Sequence, residues 1–275
     1  MNAFLMNNKS TESSSNYRPL DYVNKPIIIY YFINPFCDTC WEIEPIIKKI
    51  TMEYGAFCSI RPVISHSYVS PHNYKGASKL PIDYFNTPEK YSISIAIKAA
   101  TLQGNKAGRD YLRTIQEQLF LYEQDDSIDE VIQTAANNTN IDLHEFNNDL
   151  SSTSAKKAYE SDRKLTREMD VKQFPTFVFL SQHIEDYSMK VAGVHSYETY
   201  TFILEKMLER EIMERSSPSL EDFFKLYNRF KTEEVAFVFD MSMKEADKTL
   251  KKLQLMQKVK KISYGKKYFW ELIDE

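Results

Sequence analysis

Ile27-Ile28-Ile29-Tyr30-Tyr31-Phe32-Ile33-Asn34-Pro35-Phe36-Cys37-Asp38-Thr39-Cys40 is the stretch that decides the fold. Seven apolar, β-branched or aromatic residues in a row suit a strand buried on both faces. Asn34-Pro35 stops it, and Cys37 opens a helical pattern. Ile43, Ile46, Ile47 and Ile50 recur at helical spacing, Pro45 predicts a kink, and Gly55 is the expected C-cap. Phe57–Ile64 then reads as a second strand. A strand, a crossover helix and a strand predict a parallel pair.

Downstream, 66–88 shows turn residues without a period. From Glu89 to Asp170 the pattern is helix after helix. The first carries Ile93, Ile95, Ile97 and Leu102 and stops at Gly104; the second carries Tyr111, Leu112, Ile115, Leu119 and Phe120. Shorter helices are predicted over 128–136 and 143–150, and a last one from an N-cap at Ser154 to about Met169. Strand signals return at Phe177–Leu180, after Phe174-Pro175, and at Met189–Gly193, as a hairpin. A helix with Tyr197, Tyr200, Ile203, Leu204 and Leu208 closes this unit, and Ser216-Ser217-Pro218-Ser219 reads as a linker. Beyond it, helices are expected over Leu220–Phe230, from Thr232, and over Lys244–Met256, the last with Ala246, Leu250, Leu253 and Leu255 as its apolar residues. A hairpin follows, with Gly265 at its turn. Helix, helix, turn, helix, β-wing is the winged-helix pattern.

The chain has 275 residues, enough for two domains, and its 43% hydrophobic and 27% charged composition excludes general disorder. There is no GxGxxG and no GxxxxGK[ST], so a Rossmann or P-loop nucleotide site is not expected. A net charge of -4 gives no global pull toward nucleic acid or an anionic membrane. The apolar stretch Ala3–Met6 is too short for a signal sequence and no stretch approaches a membrane span, so a cytoplasmic location is expected. Three cysteines are too few for a disulfide scaffold.

Cys37-x-x-Cys40 sits between a buried strand and a helix N-terminus, where unpaired N–H groups stabilise a thiolate. Two intervening residues let the second thiol reach the first, which thiol–disulfide exchange needs. Asp38 opposes this by like-charge repulsion. Pro175 stands before a strand and suits a cis bond beside the pair. The expectation is a partly exposed Cys37 and a buried Cys40. A Cys₃His zinc set from Cys37, Cys40, Cys58 and His66 lacks a second CxxC, and Cys58 reads better as a core thiol. The histidines His66, His72, His144, His183 and His195 show no ligand spacing. Residues 241–268 hold nine lysines against two acidic residues. That bias suits phosphate contact, but equally a solvated helix face with Lys248, Lys251 and Lys252 in water.

The β-α-β unit with CxxC, the helical insertion, x-Pro-Thr, the hairpin and the last helix resemble the DsbA-like branch of the thioredoxin superfamily over about residues 26–212. The chain as a whole resembles the SpxH (YjbH) family of cytosolic adaptors of low-GC Gram-positive bacteria, which join such a domain to a winged-helix-like tail. Carrying the match are Asn34-Pro35-Phe36-Cys37-x-x-Cys40-Trp41 with Glu44–Lys49, Ala96-x-Lys98-Ala99-Ala100-x-Leu102-Gln103-Gly104, Arg167-Glu168-Met169 with Pro175-Thr176, Lys190-Val191 with Gly193, and Phe269-Trp270. The resemblance implies a non-enzymatic adaptor that delivers the transcription regulator Spx to the ClpXP protease, with ClpX as a further contact. It implies no cofactor and no membrane or nucleic-acid partner. Some members begin with a His/Cys-rich segment; residues 1–25 hold neither type, and no metal is expected there. The implied α/β architecture is a flexible segment 1–24, a DsbA-like thioredoxin domain 25–213 with its helical insertion over about 65–170, and a winged-helix-like domain 214–275. No catalytic residue is expected on this reading. The alternatives are a cytosolic dithiol oxidoreductase using Cys37, Cys40 and Pro175, and a DNA-binding regulator with a redox-sensing domain.

Overall fold

The quoted run forms β1 (Ile27–Ile33) in a computed structural model that describes residues 25–65, 92–121, 127–182, 188–208, 219–264 and 267–273. α1 (Asp38–Glu42) and α2 (Glu44–Tyr54) follow, and β2 (Cys58–Ile64) returns parallel to β1, with Ile27 opposite Cys58 and Ile33 opposite Ile64. The kink expected at Pro45 is a complete break. Ile43 caps α1 and opens α2, and Pro45 lies in the first turn of α2, where its missing N–H costs nothing. Gly55 does close α2, but with φ −59° it uses no glycine-specific conformation.

The insertion comprises α3 (Ser92–Leu102), α4 (Asn105–Leu121), α5 (Ile128–Asn137), α6 (Leu143–Ser151) and α7 (Thr153–Glu168). Gly104 separates α3 from α4 with φ +126°, which side-chain-bearing residues rarely adopt. The N-cap of α7 is Ser152, whose hydroxyl accepts from the Ala155 N–H at 3.1 Å; Ser154, the expected cap, lies two residues inside the helix start. β3 (Thr176–Ser181) and β4 (Ser188–Ala192) complete an antiparallel edge, giving the sheet order β2-β1-β3-β4, and α8 (Tyr197–Met207) packs on the core. Tyr31 and Phe177, paired in register across β1 and β3, stack at 4.7 Å.

The C-terminal elements are α9 (Leu220–Leu226), β5 (Arg229–Phe230), α10 (Thr232–Val238), α11 (Met243–Leu255), β6 (Val259–Tyr264) and β7 (Lys267–Leu272). The helix expected through Phe230 stops at Leu226. Arg229 and Phe230 instead pair with Glu271 and Trp270, in an antiparallel sheet ordered β5-β7-β6, and this buries Phe230 completely. Leu255 is 87% exposed: it falls off the stripe made by Ala246, Leu250 and Leu253. Lys248, Lys251 and Lys252 face water as expected. The segment 1–24, the region 66–91, the linker before Ser219 and the Gly265 turn lie outside the described residues. No helix among the described residues is long and apolar enough to cross a membrane.

Two hydrophobic cores form. The second is built from Phe223, Phe230, Val235, Leu250, Val259 and Trp270, and Met52 of α2 enters it. Around that contact runs a buried chain of charges. Glu234 of α10 lies 3.0 Å from both Lys48 of α2 and Arg113 of α4, contacts close enough for ion pairing though not aligned as hydrogen bonds. Glu117 holds Arg113 at 3.1 Å and Arg229 at 2.8 Å, and Arg229 reaches Glu271 at 3.2 Å. Lys49 pairs with Asp240 and, at 3.7 Å, with Glu53. Burial alone would raise the Glu234 carboxyl, but Arg113 and Lys48, with the Lys231 backbone N–H, outweigh it and pull it down to about 2.

A depressed carboxylate contributes stability that is present above its unfolded value and lost as pH falls through the folded one. The Glu234 contribution should therefore fade from about pH 4.3, the ordinary glutamate value, down to about 2. Emission from the buried Trp41 and Trp270 should report this, and Glu234→Gln should remove that part of the acid transition. Glu234→Ala takes an ion-pair partner from Lys48 and leaves Arg113 to Glu117, and should cost about 3–5 kcal/mol in urea unfolding. An unchanged midpoint would show that the junction does not depend on this carboxylate.

Candidate functional site

β1 delivers the chain to Cys37, the N-cap residue of α1, and fixes α1 from below: the Tyr31 hydroxyl donates to the Cys40 carbonyl at 2.9 Å. The Phe174–Pro175 bond is cis, and the Phe174 carbonyl accepts from Cys37 Sγ at 3.7 Å. Cys37 and the Phe174 carbonyl just before Pro175 are thus brought together from positions 137 residues apart. Both thiols are free and buried, Cys37 at 1% exposure and Cys40 at 0%. The partly exposed Cys37 expected from sequence is corrected here: the Phe174 carbonyl and the Thr39 hydroxyl, 3.0 Å from its sulfur, close over it.

The pair is electrostatically asymmetric. A hydrogen bond from Cys40 lowers Cys37 most; burial opposes it, and the Thr39 hydroxyl and the Cys40 backbone N–H add to it, leaving Cys37 at about 7. That N–H is the third of the helix, so the helix end acts through it, though short of a full cap hydrogen bond. Asp38 pushes upward more weakly. Cys40 is raised well above its ordinary value by burial and by its bond to Cys37. Cys58 lies on β2, 2% exposed and pushed up to about 12 by burial, an inert core thiol. Among the described residues no group of three His, Cys, Asp or Glu side chains could hold a metal ion. His66, His72 and His183 fall outside those residues; His195 Nε2 lies 3.0 Å from the Ala192 carbonyl, and His144 sits on α6.

Trp41, next to Cys40, carries α1 into the junction with the C-terminal unit. Its ring meets Phe120 edge-on at 5.3 Å, the Arg113 guanidinium at 4.3 Å and Lys231 Nζ at 4.7 Å. A cleft of about 810 Å³ opens beside it, lined by Asp38, Trp41, Phe120, Met243 and Tyr268 among others. Sequence reading missed this junction. Its one local signal was the spacing of opposite charges four residues apart, Arg113 with Glu117 and Lys49 with Glu53.

A family model described as Thioredoxin matches residues 30–202. The ClpXP adapter protein SpxH of Bacillus subtilis (strain 168) is 36% identical over 267 residues, covering 90% of this chain and 89% of that protein. That of Shouchella clausii (strain KSM-K16) is 38% identical over 266 residues, with the same shares covered. The chain belongs to the SpxH family. Among solved structures, a Nitrosomonas europaea chain assigned to the protein disulfide isomerases superposes with a TM-score of 0.51 at 14% identity, covering 67% of this chain and 97% of its own. At that identity the likeness shows the fold alone: thioredoxin-like, of the DsbA-like kind with helices inserted between β2 and β3. The SpxH relatives, by contrast, run on through the C-terminal elements that the thioredoxin match leaves out.

In this SpxH family member the thiol asymmetry predicts ordered alkylation. Iodoacetamide should label Cys37 first, with a rate that levels just above pH 7, while Cys40 and Cys58 stay protected until the protein unfolds. Cys40→Ala removes the strongest lowering contact and should move the Cys37 profile upward. Labelling of Cys58 before Cys37 in the native protein would contradict the electrostatic asymmetry of the thiols.

Proposed function

We propose that this SpxH family member is a non-enzymatic adaptor that binds the transcription regulator Spx and enhances its degradation by ClpXP, in the cytoplasm. The observation that carries the reading is the 36–38% identity to ClpXP adapter proteins over about nine-tenths of the chain. Residues 25–213 act as the DsbA-like domain and 214–275 as a winged-helix-like domain. The α-β-α-α-β-β order of the C-terminal elements supports the latter. Burial of both thiols supports an adaptor over a catalyst, because an exchange enzyme must expose its attacking sulfur. A specific complex buries on the order of 1,600 Å². The insertion helices and the sheet edge offer that area more readily than the small C-terminal unit, so client contact runs mainly through the DsbA-like domain, with ClpX as a further contact.

A dithiol oxidoreductase is the second reading, favoured by one observation: Cys37 is lowered to about 7 beside a cis proline. Reconstituted ClpXP under reducing conditions separates the two. The full chain should shorten the lifetime of Spx, and Cys37→Ala with Cys40→Ala should shorten it almost as well, with insulin reduction near background. An unchanged Spx lifetime would sink the adaptor reading. Loss of delivery in the folded double variant, together with insulin reduction by the parent chain, would establish the second.

A further inference from the structure

A second cavity, of about 190 Å³, lies where α2, β2 and α4 meet the C-terminal unit. It shares no lining residue with the cleft beside Trp41. Ile47, Ile60, Leu112 and Leu272 give it an apolar wall. Its polar lining has donors left over. Lys48 is 2% exposed and Ser59 3%, yet neither the Lys48 Nζ nor the Ser59 hydroxyl has a hydrogen-bond partner among the described residues. The same holds for Nε of Arg109 and for both outer nitrogens of Arg113. All four residues line this one cavity. Buried donors without acceptors are costly, so their gathering at one cavity calls for an acceptor inside it.

Charge points the same way. Five cations line the cavity, Lys25, Lys48, Arg109, Arg113 and Arg229, against three carboxylates, Glu44, Asp110 and Glu271. Two of those carboxylates are engaged by cations from outside the lining: Lys106 lies 3.7 Å from Asp110, and Lys260 2.9 Å from Glu271. From outside also come Glu234, shared by Lys48 and Arg113, and Glu117, shared by Arg113 and Arg229. With all these partners included, seven cations stand against five carboxylates. Arg109 makes no ion pair and no hydrogen bond among the described residues. Glu44 is a poor counter-ion for it: burial raises its carboxyl most, with Glu234 adding, against Lys48, Arg113 and Arg109. Lys48 Nζ lies 5.1 Å from the Tyr227 ring centre, a contact that favours the charged ammonium.

We propose that this cavity binds a small organic acid, with its carboxylate on Arg109 and Lys48 and an apolar body of about one ring against Ile47, Ile60 and Leu112. A guanidinium fork matches the two oxygens of a carboxylate, and the buried ammonium adds charge. The size follows from volume. An apolar cavity of about 150 Å³ accepts benzene, so the present one has room for a ring and a carboxylate. An apolar wall with a few convergent polar groups is also the usual make-up of a small-molecule site. The occupant would touch α2 and α4 on one side and Tyr227 and Leu272 on the other, and so brace the junction between the two units.

Benzoate titrated into the full chain tests this, by calorimetry with thermal unfolding in parallel. Benzoate should bind with a sub-millimolar Kd and raise Tm. Benzyl alcohol, of similar size but uncharged, and inorganic phosphate, a charge without the apolar body, should each bind at least about tenfold more weakly. Arg109→Gln breaks no ion pair and should weaken benzoate on the order of tenfold. Glu44→Gln removes an opposing carboxylate and should tighten it, and neither variant should alter the affinity for benzyl alcohol. Circular dichroism checks both folds. If neither benzoate nor benzyl alcohol binds at millimolar concentration, water alone meets the donors and the site is refuted. Equal affinity for benzoate and benzyl alcohol, or unchanged benzoate affinity in both variants, refutes the carboxylate contact. Phosphate binding as tightly as benzoate refutes the organic body.

Discussion

One carboxylate, Glu234, sets the relation between the two halves of the molecule. It is 2% exposed, and an isolated charge so placed would cost several kcal/mol of desolvation. It is tolerable only because Lys48 and Arg113 converge on it from two different helices. Arg113 is shared with a second carboxylate, Glu117, which ties it to Arg229 across the same seam. Such a network adds little net stability over an apolar seam. What it adds is specificity of placement: a slide of the C-terminal unit by a few ångströms would strand several buried charges at once.

The same seam reaches the dithiol. α1 is five residues long, and its Cys40 and Trp41 are adjacent. The Tyr31 hydroxyl fixes the Cys40 carbonyl from the sheet side, and Arg113, Phe120 and Lys231 fix Trp41 from the other. The helix that presents the thiols is therefore held on two sides by packing. The cis proline stands beside the pair, and both sulfurs are buried there.

Much of the first domain was legible in the sequence because its signals are local. An apolar run, a CxxC, a proline before a strand and a hairpin-length spacing each depend on a few neighbouring residues. The placement of Ile27–Ile33 beside Cys58–Ile64 followed from that alone. Less legible was anything decided by a distant partner. Arg229-Phe230 reads as the tail of a helix until Trp270 and Glu271 are there to pair with it. Lys48 and Lys49 look like solvent-facing residues of an amphipathic helix, and only the C-terminal unit makes them buried. The proline before β3 was legible, but that the Phe174 carbonyl would close over the Cys37 sulfur was not.

Met52 belongs to α2 by sequence and to the C-terminal core by contact. The C-terminal elements are consequently not a cassette that could be moved to another protein unchanged. Their hydrophobic centre is finished by a methionine that arrives from the other side of the seam. Parting the halves would leave an apolar socket on one surface and an ownerless thioether on the other, with Lys48 bare beside it. The separated form would be adhesive toward any chain offering one apolar and one acidic side chain, so the two halves act as each other's resident ligand.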